Sequence, residues 1–195
     1  MGMQSLLAYV VLGWLPTICQ DRGMDETSAG YVLALSAAMQ AVGSLAVPVL
    51  ARRARDQRPL VVATVALTLV GFTGVTWAPI GSVWGWTVVL GFGQGLGFAT
   101  ALSFIGLRAH DAHVAAQLSG MAQGVGYVIA ATGPLALGAL HDATGGWSVP
   151  MIGVLAVCAV MTAPGVAAGR VGTVGGPAGP PAEGINSEIS GHIPN

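Results

Sequence analysis

No charged residue occurs between Gly2 and Gln20, between Thr27 and Ala51, or between Pro59 and Leu107. A hydrocarbon core roughly 30 Å thick is crossed by about 20 helical residues rising about 1.5 Å each. Each of the two shorter runs is therefore one span. The longest holds two, because Pro79-Ile80-Gly81-Ser82 interrupts it with residues that favour a turn. Trp77, Trp84 and Trp86 flank that break, as indole rings do at a membrane interface. Charged residues make up only 8% of the chain and hydrophobic residues 53%; a soluble domain carries about 25% charge. The sequence predicts an all-α membrane protein.

Between the second and third spans lies Arg52-Arg53-Ala54-Arg55-Asp56-Gln57-Arg58, in a chain whose 7 cationic residues are all arginine. Arginine beside a membrane span is retained on the cytoplasmic side. That fixes the loop Asp21–Glu26 outside, with Ser28 as the expected N-cap of the second span, and Arg108, His110, Asp111 and His113 inside. Six spans follow, at about 2–20, 28–51, 59–78, 83–107, 114–140 and 149–168, with both termini on the cytoplasmic side of a cell (inner) membrane. His141–Trp147 reads as an outer loop. Residues 169–195, rich in Gly, Pro, Ser and Glu, read as a disordered cytoplasmic tail.

The same composition excludes several functions. Outside one short loop there is no basic surface, so nucleic acid is not an expected partner. Cys19 and Cys158 have no second cysteine or histidine at ligand spacing, so no metal or cofactor is expected. An intramembrane serine protease would need Ser119 and His141 as a pair. On one helix they lie about 33 Å apart at ~1.5 Å per residue, so the chain is not expected to be an enzyme.

No Asp, Glu, Arg or His lies near the middle of a span, where a charge costs about 2.5–3.5 kcal/mol on insertion scales. No proton relay through the membrane is therefore legible. The polar groups that remain are amides, hydroxyls and phenols. Ser5, Tyr9 and Gly13 share a face of the first span, with Gln4 at its edge. Ser36, Gln40 and Ser44 share a face of the second, and Ser119, Gln123 and Tyr127 one of the fifth. Gln94 lies in the fourth. The third and sixth spans hold no amide. This pattern predicts that spans three and six, Thr68 included, face lipid, while the other four surround a polar site. The candidate substrate-binding residues are Tyr9, Gln40, Gln94, Gln123 and Tyr127. Amides that only join neighbouring helices, at about 0.6 kcal/mol each, are the other reading.

Gly91, Gly93, Gly95 and Gly97 alternate along the fourth span, and Gly120/Gly124 repeats the four-residue spacing in the fifth. Small residues so spaced let helix backbones approach closely, and packing is the expected role of both sets. Gly133-Pro134 interrupts the fifth span, where proline removes a backbone hydrogen bond. It is either a hinge or a passive kink.

Six spans with a 3+3 polar pattern and an arginine-rich central loop resemble the C-terminal half of a major facilitator superfamily transporter. Closer similarity lies in Gly2-Met3-Gln4-Ser5-Leu6-Leu7 with Trp14-Leu15-Pro16, in Ser119–Tyr127 with Gly133-Pro134, and in Leu140–Trp147. These segments look like helix seven, helix eleven and the following loop of the branch that contains cyanate and nitroimidazole permeases. The resemblance covers roughly residues 1–168. It implies alternating-access transport of a small anion or small polar organic solute, a gating role for Arg52, Arg53 and Arg55, and a pathway lined by spans one, two, four and five. It also implies a second six-helix half, supplied upstream or by a partner, because such transporters bind substrate between two halves. A homodimeric pore or an inactive six-helix remnant is the alternative.

The topology is directly testable: a cysteine introduced at Gln57 should react with an impermeant thiol reagent only from the cytoplasmic side, and one at Met24 only from outside. The opposite pattern would reverse every loop assignment.

Overall fold

The computed structural model describes residues 1–53, 58–108 and 112–168. They form α1 (Gly2–Asp21), α2 (Glu26–Arg53), α3 (Arg58–Trp77), a single 3-10 turn (Ile80–Ser82), α4 (Val83–Arg108), α5 (Ala112–Thr144) and α6 (Ser148–Ala168). All six α-helices are long and apolar enough to cross a membrane. This is the outcome that hydrocarbon imposes, since every backbone N–H and C=O must find its partner within the segment. Arg55 and residues 169–195 lie outside the described residues. Arg52 and Arg53 fall within the last turn of α2.

Two helix ends differ from expectation. The N-cap of α2 is Asp25, not Ser28: its carboxylate accepts the Ser28 backbone N–H at 2.9 Å. A carboxylate three residues upstream satisfies an otherwise unpaired first-turn donor. Hydrogen bonds from the Ser28 backbone and hydroxyl hold the Asp25 carboxyl below its usual pKa. A depressed folded-state pKa makes the cap complete at neutral pH, and it is lost as pH falls through the carboxylate range. At the other side of the sequence, α5 continues through His141, Asp142, Ala143 and Thr144, so the expected loop shrinks to a turn around Gly145. Polar residues mark the membrane edge; the helix ends only where Gly145 adopts φ +65°.

The loop after α1 is closed in the same manner. Gly23, at φ +93°, donates its N–H to the Gln20 carbonyl, and Met24 donates to Cys19. This paired arrangement satisfies two C-terminal carbonyls that hydrocarbon would leave without partners. Arg22 then reaches across to α3, its guanidinium donating to the carbonyls of Val75 and Ala78. A cation at a helix C-terminus meets the negative end of the helix dipole, so one loop residue joins two helix ends.

Helix α4 packs most extensively on α2 and α3, α1 packs on α5, and α6 lies against α3. The alternating glycines explain why α4 is central. Residues two apart on a helix point about 200° apart, so Gly91 and Gly95 face one neighbour while Gly93 and Gly97 face another. A Cβ at Gly91 would meet the Ser36 carbonyl of α2, and one at Gly95 would overlap the Gln40 carbonyl. A Cβ at Gly93 would crowd Leu67 and Thr68 of α3, and one at Gly97 would crowd Gln4 and Thr64. Lipid is as apolar as leucine, so close van der Waals contact has to hold such helices together.

The same test corrects two expectations. Gly120 and Gly124 have no atom near an added Cβ and pack against nothing among the described residues; Gly126, Gly133 and Gly138 seat α5 against Gly2, Leu6 and Trp14 of α1. Thr68 does not face lipid. It is fully buried on the face of α3 that meets α4. Counting amides overlooked this face because its polar residues are threonines.

Gly95→Ala should therefore force α2 from α4, while Gly124→Ala should be tolerated or slightly stabilising, since alanine is the better helix former. Overpacking of this kind typically costs about 1–3 kcal/mol. Thermal unfolding of the detergent-purified protein would show a lowered midpoint for the first variant only.

Candidate functional site

Three of the five candidate residues come together on an exposed surface formed by α1 and α5. The Tyr9 and Tyr127 rings stack with centroids 6.3 Å apart and an interplanar angle of 21°. On α5 the Tyr127 hydroxyl donates to Gln123 Oε1 at 3.2 Å, and Gln123 Nε2 donates to Ser119 Oγ at 2.6 Å. The four-residue spacing read from the sequence is thus a continuous hydrogen-bonded line along one helix face. Tyr9 and Tyr127 remain 37% and 40% exposed, so their rings are available to a solute.

What brings the tyrosines together is backbone proximity. Gly2 and Gly126 pack main chain to main chain, Leu6 lies against Gly133, and Gly13 meets the Pro134 ring. Trp14 Nε1 donates to the Pro134 carbonyl at 2.9 Å. Pro134 lies within a continuous α5, braced by α1. The candidate hinge Gly133-Pro134 consequently lies in the same interface that positions the tyrosines.

The other two candidates are elsewhere. Gln94 is 1% exposed, and Gln4 Nε2 donates to both its Oε1 at 2.6 Å and its backbone carbonyl at 3.1 Å. It forms a buried bond between α1 and α4, away from any open surface. Gln40 is half-buried where α2 meets α4, its carbonyl against Gly95, and Ser44 Oγ donates to the Gly95 carbonyl at 3.2 Å. The polar face of α2 therefore runs along a helix seam. Gln4, which the sequence placed only at the edge of a face, is the α1 partner of Gln94; its signal was an amide next to Ser5, where the polar face of α1 begins.

A second polar cluster sits at the opposite ends of α1 and α5. Trp147 Nε1 donates to Asp21 Oδ2 at 2.8 Å, His141 stacks on Trp147 at 4.1 Å, and Trp14 packs on the same indole at 5.5 Å. These contacts close the α5–α6 turn over the end of α1. Among the described residues no group of three or more His, Cys, Asp or Glu could hold a metal ion. Ser119 and His141 both lie on α5, about two-thirds of its length apart.

The Major Facilitator Superfamily profile matches residues 1–187. The chain is 42% identical over 170 residues to the 2-nitroimidazole transporter of Escherichia coli (strain K12), covering 87% of this chain and 43% of that protein. It is 38% identical over 171 residues to the uncharacterized transporter YycB of Bacillus subtilis (strain 168), covering 87% and 42%. The cyanate transport protein CynX of Escherichia coli (strain K12) is 33% identical over 146 residues, 75% of this chain and 36% of that one. The chain spans less than half the length of these relatives. No solved structure matches it significantly.

Gln4→Leu and Gln94→Leu should each destabilise the fold, because each strands a buried amide, while the double variant recovers part of the loss. A double-mutant cycle on unfolding should return a coupling of about 0.6–1.7 kcal/mol. Independent, additive effects would mean the two amides do not act as a pair.

Proposed function

The chain belongs to the major facilitator superfamily, and on that premise we propose that it acts as the C-terminal six-helix half of a secondary transporter, moving a small polar solute across the cell membrane by alternating access. The observation that carries this reading is the exposed line Tyr9–Tyr127–Gln123–Ser119. A stacked tyrosine pair with a phenol and an amide along its edge offers a planar face and uncharged hydrogen-bonding groups. Such a surface suits a small, flat, polar organic molecule or a small anion, in keeping with the solutes named for the relatives.

A phenol and an amide lying open on a membrane helix are costly against lipid. They are better accommodated across from a second half, where substrate and water reach the midplane. Gly120 and Gly124, each next to a residue of that line, have open space where a side chain would stand and give a partner half close access to α5. In this arrangement Gly133-Pro134 is where α5 bends as the halves rock. Arg52, Arg53 and Arg55 act at the cytoplasmic gate, and both termini are cytoplasmic. Gln94 supports the site from behind, through Gln4, and Gln40 does so from the α2 seam.

Uptake kinetics in the complete two-half transporter test the assignment. Gln123→Leu and Tyr127→Phe should each raise the apparent KM about two- to tenfold, the value of one hydrogen bond worth about 0.5–1.5 kcal/mol. Thr73→Val should change little, because that hydroxyl bonds only its own helix at Leu69. Unchanged KM in the α5 variants would move the pathway to another face. Uptake by this chain alone as a monomer would overturn the half-transporter reading.

A further inference from the structure

Glycine contacts bring α1 and α5 close but do not decide how far one lies along the other, because bare backbones meet through dispersion, which has no preferred direction. A hydrogen bond does decide it, since it weakens steeply with distance and angle. Among the described residues, the hydrogen bond that joins these two helices is the one from Trp14 Nε1 to the Pro134 carbonyl, 2.9 Å long.

It acts where both helices are weak. Pro16 lies inside α1 and Pro134 inside α5, and each proline takes away an N–H and a helical bond. The Trp14 ring is itself held on two sides. It lies against Gly138 of α5, where an added Cβ would stand 2.8 Å from Cζ2, and it packs on Trp147 with ring centroids 5.5 Å apart. Trp147 is anchored in turn by its own N–H to Asp21 and by the stacked His141 ring. The donor on Trp14 is therefore fixed without help from the tyrosines.

The inner half of the pair has little else to set its register. Gly120 and Gly124 touch nothing among the described residues, and Gly126 meets Gly2 through backbone. The Tyr9 and Tyr127 centroids, 6.3 Å apart, lie near the outer end of the roughly 4.5–7 Å over which aromatic pairs are found. A slip of about 1–2 Å between the helices is enough to part them.

We propose that Trp14 is a positioning residue for solute binding: it does not touch the solute, and its N–H sets the register of α5 on α1 that keeps Tyr9 and Tyr127 stacked. This role presupposes the solute surface proposed above, but the register itself can be read without transport.

Trp14→Phe isolates the N–H. A ring still packs against Gly138 and Trp147, and the Pro134 carbonyl keeps its helical bond from residue 138, so no buried group is stranded. Coupling by a ruthenium photo-oxidant with persulfate reads the stack in the detergent-purified protein, because adjacent phenols join as fluorescent dityrosine. Tyr127→Phe gives the background, since any coupling between Tyr9 and Tyr31 survives in it. Trp14→Phe should lower dityrosine in the monomer band about two- to tenfold, the effect of one hydrogen bond. Trp147→Phe, which removes the neighbouring indole N–H and leaves the Trp14 bond, should not. An undiminished yield in Trp14→Phe overturns the proposal, and so does an equal loss in Trp147→Phe, which would mark general loosening. In the complete two-half transporter, Trp14→Phe should raise the apparent KM by a similar factor and change the maximal rate little. A lowered yield with unchanged KM would overturn the solute surface, and with it this role in binding, whereas a normal yield overturns the role alone.

Discussion

Once each backbone has closed its own hydrogen bonds, six helices in hydrocarbon have little left to hold them together except how closely they can approach. Everything else in this bundle depends on that approach. Glycines on opposite faces of α4 let it sit between α2 and α3, with main chain against main chain on the α2 side. A second set, Gly126, Gly133 and Gly138 of α5, does the same for α1. Arg22 and the cap at Gly23 then settle the helix ends where glycine contacts no longer act.

The polar groups follow from this packing. When α1 and α4 are brought into contact, Gln4 and Gln94 have no water to bond and bond each other. The polar face of α2 meets the glycine face of α4, where carbonyls already crowd, and becomes part of a seam. The α5 line stays open because it runs along the edge of the α1 contact: Gly126 and Gly133 hold the two backbones together, while Tyr127 stacks on Tyr9 and remains 40% exposed. Two polar regions result, with different character. One is exposed and built on stacked phenols; the other is buried between helices, where Gln4 bonds Gln94.

In the proposed transporter these regions would have separate roles. The exposed line is placed to meet a solute between two halves, while the Gln4–Gln94 pair joins α1 to α4 within one half. Both lack formal charge. The energy that drives transport would then have to enter through groups on the other half, since no carboxylate or imidazole lies near the middle of any of these six spans.

The number of helices, their order and the loop between α2 and α3 were legible in the sequence, because lipid permits few structures and charge marks the places where the chain leaves it. The 200° offset between alternating glycines was legible too, as two pairs on one helix, and so was the face shared by Ser119, Gln123 and Tyr127. Which neighbour each face would meet was not. Periodicity reports that residues share a side of a helix, but the side acquires a meaning only when another helix arrives. That is why Gln94 and Tyr127, alike as polar residues in apolar spans, end in opposite environments, and why Thr68 is buried although its span has no amide. Tertiary packing alone decided those outcomes, because contact between distant segments is set by the shapes of both partners.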